Sequence, residues 1–117
     1  HPLALRWLGS LGKDQAATCP TVENALLRYL VRIGVKPQGA WDMMAAIKGN
    51  SRVGFVEEPH SMSLNSLAGV AGHRQITDVY LCQVASSAGR TLATFDLGLC
   101  QSRPNLTTNL ARLNLDP

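Results

Sequence analysis

Charge is scarce in this sequence. Asp, Glu, Lys and Arg make up 16% of its 117 residues, and acids are the scarcer sign, 8 against 11 Lys and Arg. The formal net charge of +3 is compatible with a phosphate-backbone partner but is far from a basic arm. Long apolar runs are missing too: nothing reaches the roughly 18 consecutive apolar residues of a membrane span. The opening residues, His1-Pro2-Leu3-Ala4-Leu5-Arg6-Trp7, lack the basic region and cleavage site of a signal peptide. Cys19, Cys82 and Cys100 are the only 3 cysteines, and no pair has metal-ligand spacing. They read as reduced thiols of a cytoplasmic protein, and a zinc site joining them to His1, His60 and His73 is not expected. Aromatic residues are few, 5%. Trp7, Trp41, Tyr29 and Tyr80 are spaced like core residues rather than a base-stacking platform, and Met43 and Met44 read as core filler. No Ser/His or Cys/His set stands out as a nucleophile with its base.

What is present is 45% hydrophobic residues, enough for one domain, residues 1–117, around one core. Residues 1–11 carry Leu3, Trp7 and Leu11 at four-residue steps, the mark of a helix packed on a core. Residues 16–19 are short and apolar, a candidate buried strand. Pro20 and Thr21 suit a helix start, and that helix runs to Gly34. Pro37-Gln38-Gly39 reads as a turn. Residues 40–48 read as a helix with Trp41, Met44 and Ile47 inward, and 52–57 as a strand with Val53, Phe55 and Val56 buried, closed by Pro59. A short helix is expected over 63–71, then a polar loop, Gly72-His73-Arg74-Gln75. Residues 76–88 form a strongly apolar helix ended by Gly89 in the left-handed conformation. Residues 91–95 form a strand, 101–105 a loose loop, and 110–115 a last strand. Strands alternating with helices imply an α/β fold with a mostly parallel sheet.

Most of the acids are explained by a solvated surface: Asp14 in a loop, Asp42 opening a helix, Glu57 and Glu58 before a proline, Asp116 near the end. Three differ. Glu23 lies in the first turn of a helix that follows a strand. Asp78 opens the helix after the polar loop, and Asp96 directly follows the strand 91–95. All three belong at the strand-to-helix edge, where open α/β sheets bind ligands. Singly, Glu23 and Asp78 are also explained as helix-dipole acids and Asp96 as a turn former. As a set, they repel one another unless a cation neutralises them, and hard oxygen ligands suit Mg²⁺ or Mn²⁺.

At these residues the chain resembles a family. Ala17-Thr18-Cys19-Pro20-Thr21-Val22-Glu23-Asn24-Ala25-Leu26-Leu27-Arg28 is similar to the first acidic helix of PIN-domain ribonucleases, in particular the VapC-type toxins of toxin–antitoxin pairs. Gln75-Ile76-Thr77-Asp78-Val79-Tyr80-Leu81 and Gly89-Arg90-Thr91-Leu92-Ala93-Thr94-Phe95-Asp96 resemble its second and third acidic motifs, in the same order and at matching gaps. The resemblance is weak over residues 37–72 and beyond residue 100. It implies a PIN-like three-layer α/β/α fold and a Mg²⁺-dependent endoribonuclease toxin that hydrolyses RNA by metal-activated water and is neutralised by an antitoxin protein. It makes Glu23, Asp78 and Asp96 the metal ligands. Thr94 and Thr77 are hydroxyl helpers in that reading, or else capping and packing residues. Asn24 and Arg28, on one helix face, would contact RNA or the antitoxin. His73 and Arg74 are as well explained by a solvated loop. A homodimer could form through the apolar segments 41–47 and 64–70.

The family's site has a fourth acid, on an N-terminal central strand that precedes the helix opening here at His1. These 117 residues do not contain that strand. Either they belong to a longer protein, the favoured reading, or another segment closes the sheet. The expectation is that this polypeptide alone has little nuclease activity. The rival readings are a catalytically incomplete PIN-like binding module for antitoxin or RNA, and a doubly wound Mg²⁺/phosphate receiver. The receiver would need a strand-end Lys that is not evident.

Overall fold

The computed structural model describes residues 2–58 and 61–112, and of residues 2–5 the backbone alone. His1, Pro59, His60, Asp116 and the end of the expected last strand lie outside the described residues. The chain divides into two compact units, residues 11–58 and residues 1–10 with 59–117.

In the unit of residues 11–58, β1 (Ala16–Thr18) pairs in parallel with β2 (Val53–Phe55), Ala16 opposite Val53 and Thr18 opposite Phe55. Two helices connect them, α2 (Pro20–Arg32) and α3 (Pro37–Lys48), packed on each other. Both open on proline, whose missing N–H is one that a first turn leaves unpaired anyway. Pro37-Gln38-Gly39 is therefore helical rather than a separate turn, and Gly39 brings the helix close to Val35. Glycine ends α2: Gly34, at φ +102°, donates to the Val31 carbonyl, and Val35 donates to that of Leu30. This pair of bonds is the Schellman motif.

The core of this unit is Cys19, Leu30, Ala40 and Met44. Ala40, Met44 and half-buried Ile47 form the inward stripe of α3. Trp41, next to Ala40 in sequence, is turned about 100° round the helix and is 57% exposed. Tyr29, Met43 and Phe55 are also exposed, against expectation. Phe55 shares a face with Val53 but sits at the open end of a three-residue ladder.

In the other unit, α1 (Pro2–Ser10) lies against a 3₁₀ turn at Leu110–Arg112. A second 3₁₀ turn, Leu64–Leu67, stands where a short helix was expected. It is tied to α4 (Arg74–Ser87) by Gln83, whose Oε1 accepts the Ser66 hydroxyl at 2.7 Å and whose Nε2 donates to the Ser61 carbonyl at 2.7 Å. α4 starts two residues before the expected position, inside the polar stretch, and ends as expected: Gly89 has φ +69°, and Gly89 and Arg90 donate to the carbonyls of Ser86 and Ala85. β3 (Leu92–Thr94) leads through α5 (Leu97–Ser102) to β4 (Thr107–Asn109), which pairs with β3 in parallel, Leu92 opposite Thr107 and Thr94 opposite Asn109. Val79, Cys82 and Val84 of α4, Leu99 and Cys100 of α5, and Leu110 make up the core.

The molecule is thus a mixed helix/strand protein whose strand pairs are parallel, as the alternation of elements implies. Among the described residues no helix is long and apolar enough to cross a membrane.

Candidate active site

Asp78 and Asp96 reach the same neighbourhood from different elements. Asp78 lies in the second turn of α4, half-buried. The macrodipole of α4, strongest in the first turn, is therefore a weaker reason for an acid here than the sequence suggested. Asp96 directly follows β3 and caps α5. Its Oδ1 accepts the Leu99 N–H at 3.0 Å, which satisfies one of the donors a helix start leaves open. Thr94 Oγ1 accepts the Asp96 N–H at 3.1 Å, so the hydroxyl that closes β3 also fixes the turn carrying the acid. Thr77, beside Asp78, is exposed.

The two carboxyls feel each other. Asp78 is pushed above the usual aspartate range, first by burial and then by the negative charge of Asp96. Both causes penalise the ionised form, and a nearby cation would offset them. Cys82, one turn along α4, is raised as well, chiefly by burial, with the Arg103 guanidinium pulling the other way. That guanidinium is anchored on the carbonyls of Ser66 and Ala68, at 3.1 and 2.6 Å.

In the unit of residues 11–58, Glu23 stands in the first turn of α2 as expected. Its Oε2 accepts the Thr18 hydroxyl at 2.7 Å, and its Oε1 pairs with Lys48 Nζ at 3.3 Å. The glutamate side chain is only 12% exposed against 46% for the lysine. Lys48 also lies 5.2 Å over the Phe55 ring. Asn24 and Arg28 share a face of α2, as their spacing requires, while Glu23 lies nearer the stripe of buried Leu30, about 100° round the helix from Asn24. Within either unit, among the described residues, no three His, Cys, Asp or Glu side chains gather as metal ligands.

Two residues here escaped the sequence reading. Lys48 was no more than the last residue of the helix expected over 40–48. Glu58 looked like a surface acid, yet its carboxylate takes both the backbone N–H and the hydroxyl of Thr21, at 2.6 and 2.7 Å, and so caps α2. Glu58 also helps burial push the Cys19 thiol up to about 11. These pairings join residues far apart in sequence, and no local pattern announces them.

No protein-family model matches the chain, and no solved structure matches it. Curated relatives do. It is 42% identical over 100 residues to Ribonuclease VapC29 of Mycobacterium tuberculosis, spanning 85% of this chain and 74% of that protein. Ribonuclease VapC38 of the same organism is 29% identical over 118 residues, covering 94% of this chain and 84% of the relative. Ribonuclease VapC39 is 26% identical over 110 residues, covering 87% and 79%. The similarity thus runs through the segments that carry the acidic motifs, and the chain belongs to the VapC family of ribonucleases, with the PIN-like α/β class of fold that this family implies.

Proposed function

We propose that this protein is a metal-dependent endoribonuclease toxin that hydrolyses RNA phosphodiester bonds and is neutralised by an antitoxin protein. The observation that carries the reading is the pair Asp78 and Asp96, two carboxylates from separate elements whose charges oppose each other. The relatives' name, ribonuclease, supplies the chemistry such a pair would serve.

The residues fit a hard divalent cation, Mg²⁺ or Mn²⁺: they offer carboxylate oxygens, and the penalty on ionised Asp78 is one that a cation relieves. Asp78 and Asp96 would hold it, joined by Glu23 as the resemblance implies. When bound, such a cation lowers the pKa of a water and offsets charge developing on the phosphate. Thr94 holds the turn that presents Asp96, and the Leu99 N–H holds one of its oxygens, so the carboxylate is oriented before substrate arrives. Thr18 and Lys48 orient Glu23 in the same way. With water as nucleophile, no Ser, Cys or His need act as one. The four-acid, three-layer arrangement of the family belongs to the same proposal.

Three free, buried cysteines support a cytoplasmic setting, where thiols stay reduced. Exposed apolar side chains on both segments named for a homodimer, Trp41 and Leu64, support that expectation. RNA incubated with the protein that carries these 117 residues, with Mg²⁺ or with a chelator, tests the central reading. Cleavage that needs the metal and is lost in Asp78→Asn is expected. RNA binding without cleavage would turn the reading to a binding module.

A further inference from the structure

One face of α2 is left unused by the proposed chemistry. Thr21, Asn24, Ala25, Arg28, Tyr29 and Arg32 line a cleft of about 560 Å³ along it. Steps of three and four residues keep all six on one side of the helix, away from Glu23. Arg28 and Arg32 are one turn apart, about 6 Å along the axis. Neither has a hydrogen bond or ion pair among the described residues, and no acid lines the cleft. Tyr29 is 55% exposed beside them. Two planar guanidinium forks without counter-charge fit phosphate oxygens, and an exposed ring next to them offers a base a surface to stack on.

We propose that this face of α2 is a track for single-stranded RNA. Arg28 and Arg32 hold neighbouring phosphates, Tyr29 stacks on a base, and Asn24 hydrogen-bonds to a nucleotide. The choice of RNA as the polyanion rests on the ribonuclease reading above. A partner helix is the competing occupant, but a helix-binding groove uses aliphatic anchors. Ala25 is the one aliphatic residue among these six. The track extends the sequence expectation for Asn24 and Arg28 to Tyr29 and Arg32, and it chooses RNA over the antitoxin.

The test is fluorescence anisotropy of a short labelled RNA strand against the Asp78→Asn protein, which keeps the probe intact, over a range of salt concentrations. Adding Arg28→Ala with Arg32→Ala should weaken binding about tenfold or more and reduce the slope of log K against log salt by about 1.4, two single-strand phosphate contacts. Arg28→Lys with Arg32→Lys should keep most of that slope. Tyr29→Ala should weaken binding several-fold where Tyr29→Phe does not. Unchanged affinity and slope in the double alanine variant would overturn the track, including where that variant loses its hold on a protein partner instead. The two readings fail separately. A wild-type protein that binds RNA through these residues without cutting it removes the nuclease and leaves the track. One that cuts RNA while the alanine pair binds normally removes the track alone.

Discussion

Asp78 is one of the two acids on which the proposed chemistry rests, and its titration gives a test that needs no substrate. Its carboxyl is raised by burial and by Asp96, so the folded chain holds that proton more tightly than the unfolded chain does. The resulting stabilisation is fully present below the unfolded aspartate pKa and is lost as pH rises through the folded value. At neutral pH an ionised Asp78 therefore weighs against the fold. Asp78→Asn should melt at a higher temperature than the wild type at pH 7, with the difference closing in acid. Asp96→Asn, which removes the second of the two causes, should lower the Asp78 pKa seen by carboxyl NMR. A melting difference of equal size at pH 7 and pH 3 would contradict this. Cys19 makes a companion case. A thiol at about 11 is almost wholly protonated at pH 8 and, being buried, should resist iodoacetamide in the folded protein while reacting freely in denaturant. Rapid native alkylation of Cys19, mapped by mass spectrometry, would show the packing to be wrong.

The elements follow local rules, and their ends are where glycine matters most. Gly89 has φ +69°, and a Cβ built there meets nothing within 4 Å, so substitution brings backbone strain without a clash. Gly89→Ala should cost about 1–2 kcal/mol, read from urea or thermal unfolding. A neutral result would mean that α4 ends differently. The glycine stops, the proline start at Pro20 and the short strands at 16–18 and 92–94 were legible, because each depends on residues within one turn of one another, whereas the start at Pro37 read as a turn. β4 was not. Thr107-Thr108-Asn109 is polar, and the apolar signal lies in the leucines that follow, which drew the expected strand to 110–115. α5 was missed because six residues are too few to show a period. Of the candidate site, the places of Glu23 in the first turn of α2 and Asp96 after β3 were legible from the motifs, and so was the helix that carries Asp78, though not its place in the second turn. The long-range partners were not: Lys48 at Glu23 and Glu58 at Thr21 depend on how elements pack. Trp41, Tyr29 and Phe55 failed as core residues for a related reason. Spacing places a residue on a face, but only packing decides which face is covered.

For the molecule as a whole, family membership and the paired acids converge on one chemistry. The relatives are named ribonucleases, and the chain places Asp78 and Asp96 where their charges oppose each other. The modest net charge of +3 adds little on its own, but Arg28 and Arg32 concentrate part of it on one helix face. The measurement that bears most directly on the central claim is RNA cleavage by the protein carrying these residues, followed with Mg²⁺, with a chelator, and in Asp78→Asn and Asp96→Asn. The expected result is cleavage with Mg²⁺ that stops on chelation and falls at least about 100-fold in either variant, by analogy with the loss of other transition-state-stabilising groups. Cleavage that persists in the chelator, or that either substitution leaves intact, would contradict it.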